Sequence, residues 1–321
     1  MENVMKRSLN QEELSLLIHQ AFGEDKAISQ ATELQDGWFN TAYDIMLSNG
    51  LRTVLKIAPR DGEGALRYER NVMKAEIGVL KLLKEEGSLP VPGIYFTGLD
   101  PQGGECFMME FMEGSPLNKA REALTKTELN AIQEELGQLN RRLNEIPGER
   151  FGYYAMEEEQ GDSWYEIFTG MVLGLLADAR DKQIVLPAED GEICSAVAVR
   201  RASLEEVKRP KLVHWDLWDG NVFVHGGKVT GLIDCERALW GDPLMEFYFR
   251  ELAGEQSAFL KGYGKTSFSP AELERMELYD LYLALIMHIE CTYRGYVDEH
   301  HHKWAFEQLS RAWERVSQKV R

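Results

Sequence analysis

Apolar positions along this chain switch between two periods, and the switches delimit its elements. Between residues 31 and 58 the alternation predicts a strand, a turn at Gln35-Asp-Gly37-Trp-Phe-Asn40, and a hairpin whose return strand is Arg52-Thr-Val-Leu-Lys56-Ile57. Lys56 alternates there with Val54 on an otherwise apolar strand. Residues 66–86 change to helical spacing, with Ile77, Val79, Leu80 and Leu83 forming a stripe beside Glu76. Residues 105–112 read as a short apolar strand, closed by the turn signal Glu113-Gly114-Ser-Pro116. Beyond it, 125–145, 162–181 and 271–320 carry helical spacing, so the C-terminal portion is mostly helix. Asp242-Pro243-Leu-Met-Glu246 has the form of a helix start, with Asp as N-cap, Pro at the first helical position and an acid in the first turn.

One segment adds chemistry to this pattern. Val222-Phe-Val-His225 and Lys228-Val-Thr-Gly-Leu-Ile233 are β-prone runs separated by Gly226-Gly227, a hairpin signature. With the two glycines as the turn, His225 faces Lys228, Asn221 lies opposite Leu232, and Asp234 follows at the same end. Asn221 and Asp234 can then share one metal, and a pair of oxygen ligands suits magnesium, which keeps water and phosphate oxygens for its other positions. Asp216 stands five residues before Asn221 in His214-Trp-Asp216-Leu-Trp-Asp219-Gly-Asn221. There it could accept a proton from an attacking hydroxyl, the layout of a kinase catalytic loop. Lys56, a long cation on an apolar strand, could reach ATP phosphates. Glu76 is the first choice for the carboxylate that holds it, and Glu69, about two turns earlier on the expected helix, the second.

His214-Trp-Asp216 through Asn221, followed by Ile233-Asp234-Cys-Glu236-Arg-Ala-Leu-Trp-Gly241-Asp242-Pro243-Leu-Met-Glu246, resembles the aminoglycoside phosphotransferase family of small-molecule kinases. The resemblance implies an α+β, two-lobed protein-kinase-like fold. Residues 1–112 would form a small nucleotide-binding lobe of antiparallel sheet plus helix, and 113–321 a larger, mainly helical lobe with the catalytic loop and acceptor pocket. It also implies that the loop around Gly37 and Asn40 covers the phosphates with its backbone amides, although this loop has fewer glycines than such loops usually carry; Tyr43 matches a family position as well. Met109 would border adenine, while the Glu110 carbonyl and the Met112 amide would bond its edge. Asp242 would brace the catalytic region without touching substrate. The implied cofactors are ATP and Mg2+, and the implied reaction is transfer of the γ-phosphoryl group to a hydroxyl of a small molecule. Asp234-Cys235-Glu236 stands where protein kinases carry Asp-Phe-Gly, which favours the small-molecule branch. An aminoglycoside-type acceptor is the family's namesake, yet Asp216-Leu-Trp-Asp-Gly-Asn221 also resembles fructosamine kinases. Sugars, choline, homoserine and macrolides stay open, because kinship of fold does not choose an acceptor. A nucleotide-binding regulator without turnover is the reading of another class, disfavoured because all five core residues are present.

Composition narrows the setting. The 321 residues are 44% hydrophobic, enough for a sizeable core, and show no internal repeat. Nothing is apolar for long enough to span a bilayer and the first residues lack a signal-peptide pattern, so a cytoplasmic protein is expected. The four cysteines are scattered, giving neither zinc-site spacing nor a disulfide framework. A net charge of −17 argues against nucleic acid or anionic membrane as partner and is compatible with a cationic acceptor. Asp162, Asp219, Glu246 and Glu290 are candidates to line that acceptor's pocket. Gly264-Lys265-Thr266 imitates the end of a P-loop but lacks its first glycine and preceding strand. His300-His301-His302 sits among charged residues, as a solvated helix face would.

Overall fold

A computed structural model describes residues 7–35, 40–59, 64–252 and 257–318. In chain order the first elements are α1 (Gln11–Phe22), β1 (Ile28–Leu34), β2 (Thr41–Leu47), β3 (Arg52–Ile57), α2 (Val72–Glu86), β4 (Ile94–Leu99), β5 (Glu105–Glu110), β6 (Ser115–Pro116) and α3 (Leu117–Ala120). They are followed by α4 (Lys126–Glu145), β7 (Gly152–Tyr153), α5 (Trp164–Asp181), α6 (Asp190–Ala198), α7 (Arg201–Leu204), β8 (Lys211–Val213), β9 (Val222–His225), β10 (Lys228–Leu232) and β11 (Leu239–Gly241). Four helices close the chain: α8 (Phe247–Glu251), α9 (Ala258–Tyr263), α10 (Pro270–Tyr293) and α11 (Glu299–Ser317). The fold is α+β, as expected. Among the described residues no helix is long and apolar enough to cross a membrane.

Two compact units emerge, neither continuous in sequence. The first gathers Met1–Gly62, Met73–Ala120 and Asp219–Glu236, and the second Glu63–Val72, Arg121–Trp218 and Arg237–Arg321. Asp219–Glu236 groups with the N-terminal strands because β9 pairs with β6 and the Leu232 amide donates to the Pro90 carbonyl. Glu63–Val72 groups with the helices because Arg67 and Glu69 find their charge partners on α5 and beside α10.

In the first unit, the antiparallel sheet runs in the order β1-β2-β3-β5-β4. Helix α1, started by an Asn10/Glu13 capping box, buries Leu14, Leu17 and Ile18 against Tyr43, Ile45, Leu55, Ile57 and Met108. The expected helix over 66–86 is in fact broken. Asn71 adopts a left-handed conformation (φ 61°), so Arg67–Glu69 form a separate 3₁₀ turn before α2 begins.

The helical unit is organised around α4, α5 and α10. Thr125/Glu128 and Ser269/Glu272 boxes start α4 and α10, the latter with Pro270 at its first position. Helices α4 and α9 meet at glycines: a Cβ on Gly137 would lie 2.1 Å from the Phe259 carbonyl oxygen, and one on Gly262 1.9 Å from that of Glu134. The P-loop look-alike is resolved here, since Gly264 is the left-handed cap of α9 and Lys265 pairs with Glu272.

If α1 closes the sheet's core as its burial indicates, Leu17→Ala should cost about 2–5 kcal/mol, the range for truncating a fully buried leucine. Urea denaturation measures this, and an unchanged midpoint would show that α1 is not part of the cooperative core.

Candidate active site

The first unit buries a cation. Lys56 lies mid-strand on β3, opposite Ala42 of β2 and Phe107 of β5. Its ammonium donates to both Glu76 oxygens at 2.7 and 2.9 Å and to Asp234 Oδ1 at 2.6 Å. Glu76 is fully buried on the α2 face that also carries Val79, Leu80 and Leu83. Burial works against the lysine charge, but Asp234, Glu76 and Glu236 outweigh it and hold the ammonium above the ordinary lysine range. Burial and the nearby Asp234 carboxylate push Glu76 in the other direction from its partner's pull, upward to about 7. Glu69, the second choice, does not reach Lys56. Its carboxylate accepts from the Leu66 amide, the Tyr68 hydroxyl and Arg294 in the helical unit, because the break at Asn71 takes it off α2.

The β9–β10 hairpin is as expected at its tip, where His225 faces Lys228, but its register slips one residue further on. A bulge between Val229 and Gly231 leaves Thr230 over, and its hydroxyl donates to the Glu113 carbonyl. Leu232 is therefore opposite Val222, not Asn221, and the Ile233 amide donates to the Asn221 carbonyl at 3.1 Å. The correction brings Asp234 a residue nearer to Asn221 along the ladder. Asp234 itself is left-handed (φ 68°), a strained conformation for a non-glycine residue that aims its carboxylate at Lys56.

Sequence reasoning overlooked Glu236. Buried, it accepts from Asn40 Nδ2 at 2.6 Å, and its carboxylate groups with those of Glu76 and Asp234 so that one oxygen of each lies within 4.8 Å of the others. Three carboxylates thus gather around the Lys56 ammonium. Gly37 lies outside the described residues. Tyr43 belongs to the core, its hydroxyl accepting from the Leu9 amide.

At the end of β5, Met109 is buried and its carbonyl accepts from the Thr53 hydroxyl at 2.7 Å. The Glu110 amide donates to the Gly93 carbonyl, while its side chain takes the Gly93 amide and Lys84. Met112 follows the strand, packed so closely on Gly231 that a Cβ there would come within 3.1 Å of it.

In the helical unit the segment His214–Trp218 is held by a second buried charge. Glu246, fully buried, accepts from the amides of His214 and Trp215 and from the side chains of Asn140 and Asn144. The Asp216 amide donates to His214 Nδ1, which sets that ring nitrogen as acceptor. Trp215 is left-handed (φ 68°) and buried against Tyr282, leaving Asp216 half-buried and turned out of the core. Glu246 is thus a support for the loop and not an acceptor-pocket acid. The signal for it was Asn140 and Asn144, one turn apart on the otherwise apolar stripe of α4.

Of two other candidate acids, one is corrected. Glu290 pairs with Arg237 and Arg294 and is committed to a buried network, while Asp162 is almost fully exposed. Burial opposes the Arg237 charge, but Tyr68, Asp216, Glu290 and Glu69 hold it firmly protonated. Asp216 is thus one of the groups whose charge acts on Arg237. Asp242 braces as expected: it caps the 3₁₀ turn Pro243–Met245 and accepts from Arg275 at 2.7 Å and Tyr279 at 2.8 Å. In the histidine run, His302 bonds the Tyr296 carbonyl and His301 packs on Trp304.

Comparison with known proteins gives the family and the fold. The chain belongs to the phosphotransferase enzyme family, which matches residues 30–279. A protein of Vibrio vulnificus named a probable ketoamine kinase is 27% identical over 273 residues, 79% of this chain and 84% of that one. Two Aspergillus fumigatus subtelomeric hrmA-associated cluster proteins match at 26% identity over 114 residues, and the chain spans only 22% of their length. Among solved structures, a Haemophilus somnus protein named as a candidate fructosamine-3-kinase superposes with a TM-score of 0.70 at 19% identity, covering 94% of this chain and 97% of that one. The ternary complex of APH(2″)-IIa with streptomycin and ATP gives 0.63 at 16% identity, covering 96% and 99%. At these identities the structural likenesses establish the fold.

Because Glu246 is the shared acceptor for two buried backbone amides and two asparagines, Glu246→Leu should lower stability by roughly 3 kcal/mol or more, several donors losing their partner at once. Glu246→Gln, which keeps one oxygen, should lose less. Equal urea midpoints for the two variants would mean that the carboxylate does not hold the loop.

Proposed function

We propose that this chain transfers the γ-phosphoryl group of ATP to a hydroxyl of a small molecule. The observation that carries the reading is the Lys56 ammonium buried between Glu76 and Asp234. A charged lysine is costly to bury, and a kinase needs one there to position phosphates. Lys56, fixed by Glu76, would hold the α- and β-phosphates. Asn221 and Asp234 would hold Mg2+, and the fit is supported by an all-oxygen donor set and by the gathering of the Glu76, Asp234 and Glu236 carboxylates at that place. When bound, the ion supplies neutralisation of the phosphate charge. Asn40, tied to Glu236, would anchor the end of the loop over the phosphates, and Met109, Glu110 and Met112 would border adenine.

Asp216 is the proposed base. It would orient the acceptor hydroxyl and take its proton as the new O–P bond forms, while the bond from γ-phosphorus to the bridging oxygen breaks and ADP leaves. Catalysis of this kind is positioning and charge stabilisation, with no covalent enzyme intermediate. Asp234-Cys235-Glu236 in place of Asp-Phe-Gly supports a small-molecule acceptor over a protein. A ketoamine acceptor is favoured by one specific observation, Asp216-Leu-Trp-Asp-Gly-Asn221 together with the Vibrio relative matched over most of its length. An aminoglycoside acceptor is supported by the family and the net charge alone.

Magnesium-dependent ADP release, assayed over fructosamines, aminoglycosides, choline, homoserine and macrolides, should respond to one acceptor class. Asp216→Ala should reduce that turnover at least about 100-fold, the size of a general-base contribution, without abolishing ATP binding. Asn221→Ala should raise the magnesium concentration needed for half-maximal rate. ATP binding without turnover on any acceptor would point to a nucleotide-binding regulator instead.

A further inference from the structure

The helical unit contains a cavity of about 330 Å³ between the Arg67–Arg70 turn, the Gly152–Glu159 segment and one face of α5. That volume is at the lower end of small-molecule pockets. Its walls are mostly apolar, formed by Tyr68, Tyr153, Met156, Ile167, Met171 and Leu175. The charges at its edge are largely spent on each other: Arg67 on Asp178 and Asp181, Arg70 on Glu159.

Two features separate this cavity from a packing defect. Gly170 and Gly174, one turn apart on α5, both line it, and a Cβ added to either would meet nothing within 4 Å. Glycine is the least favourable helix-interior residue after proline. On α4 and α9 the same cost is offset by close backbone approach at Gly137 and Gly262; on α5 no neighbour requires it. The cavity is also linked through its tyrosines to the segment that carries the candidate catalytic residue. Tyr68 stacks on Tyr153 at 5.5 Å and lies under the Arg237 guanidinium at 5.8 Å, and Arg237 is in the field of Asp216. Tyr153 in turn bonds Tyr282, on which Trp215 packs.

We infer that this cavity receives the uncharged, apolar body of the acceptor, an aryl or alkyl group carried by the alcohol that Asp216 deprotonates. The inference rests on the phosphotransferase reading for the identity of its occupant. A polycationic acceptor fits poorly here, because Asp178 and Glu159 already hold arginines and only Glu166 remains without an ion pair among the described residues of the lining. Met156 and Met171 give the walls the adaptability suited to an apolar guest.

The test uses 2-naphthaleneethanol as probe and kanamycin as the polycationic contrast, with calorimetric binding to the full chain, to Gly170→Leu and to Gly170→Leu/Gly174→Leu. Gly170→Ala provides a graded control, and melting temperatures for all variants verify folding. The naphthyl alcohol should bind the parent protein and bind the leucine variants at least 10-fold more weakly, with no fall in melting temperature and no change in ATP affinity. Absence of naphthyl binding, or equal binding by the leucine variants, overturns the inference. ADP release is then measured on the same proteins. Turnover of some other acceptor with KM unchanged by the leucines leaves the phosphotransferase reading standing and removes the cavity from it. Cavity-dependent naphthyl binding with no turnover of any acceptor overturns the cavity's role as acceptor seat together with the phosphotransferase reading.

Discussion

One ammonium group fixes the first unit. Taking a lysine charge out of water costs several kcal/mol, and only well-placed opposite charge offsets it. Lys56 obtains that charge from two places far apart in sequence, Glu76 on α2 and Asp234 at the end of the β9–β10 hairpin. A strand, a helix and a hairpin must therefore converge on one nitrogen, and the hairpin is drawn into the N-terminal unit although more than a hundred residues separate it from that unit's sheet. Apolar packing alone would tolerate small slips between these elements. A buried ion pair does not, because a displaced carboxylate leaves an unpaired charge.

The helical unit repeats the device with the sign reversed. Glu246 is a buried anion whose partners are backbone amides and side-chain amides instead of a cation, and it sets the turn that presents Asp216. The two left-handed non-glycine residues of these segments, Trp215 and Asp234, are both next to or part of such a network. Strain of that kind persists only where surrounding bonds over-determine the backbone. In each unit the residue expected to do chemistry is thus held by a charge that does none.

Much of this was legible from periodicity. The strand carrying Lys56, the stripe carrying Glu76 and the turn at Gly226-Gly227 are short-range patterns, and each formed where the sequence placed it. What failed depended on single residues that interrupt a pattern. Asn71 breaks the helix and removes Glu69 from it, and the extra Thr230 shifts the hairpin by one. Neither leaves a mark in hydrophobic spacing, because both are polar positions that fall between the apolar residues whose period defines the element. Glu246 was misread for a different reason. Its place after Asp242-Pro243 satisfies a helix-start pattern, and only the asparagines of α4, a hundred residues earlier, show that it is buried.

The fate of the acids also changes what the net charge means. A surplus of carboxylates invites the idea of a field that draws a cationic acceptor, but the carboxylates nearest the chemistry are internally engaged. Glu246 holds amides, Asp242 holds Arg275 and Tyr279, Glu290 holds Arg237 and Arg294, and Glu69 holds Arg294. Arg237, whose charge Asp216 also favours, is held by that same network. The internal engagement of these acids and the apolar lining of the cavity on α5 argue in the same direction, toward an acceptor whose body is held by shape and apolar contact.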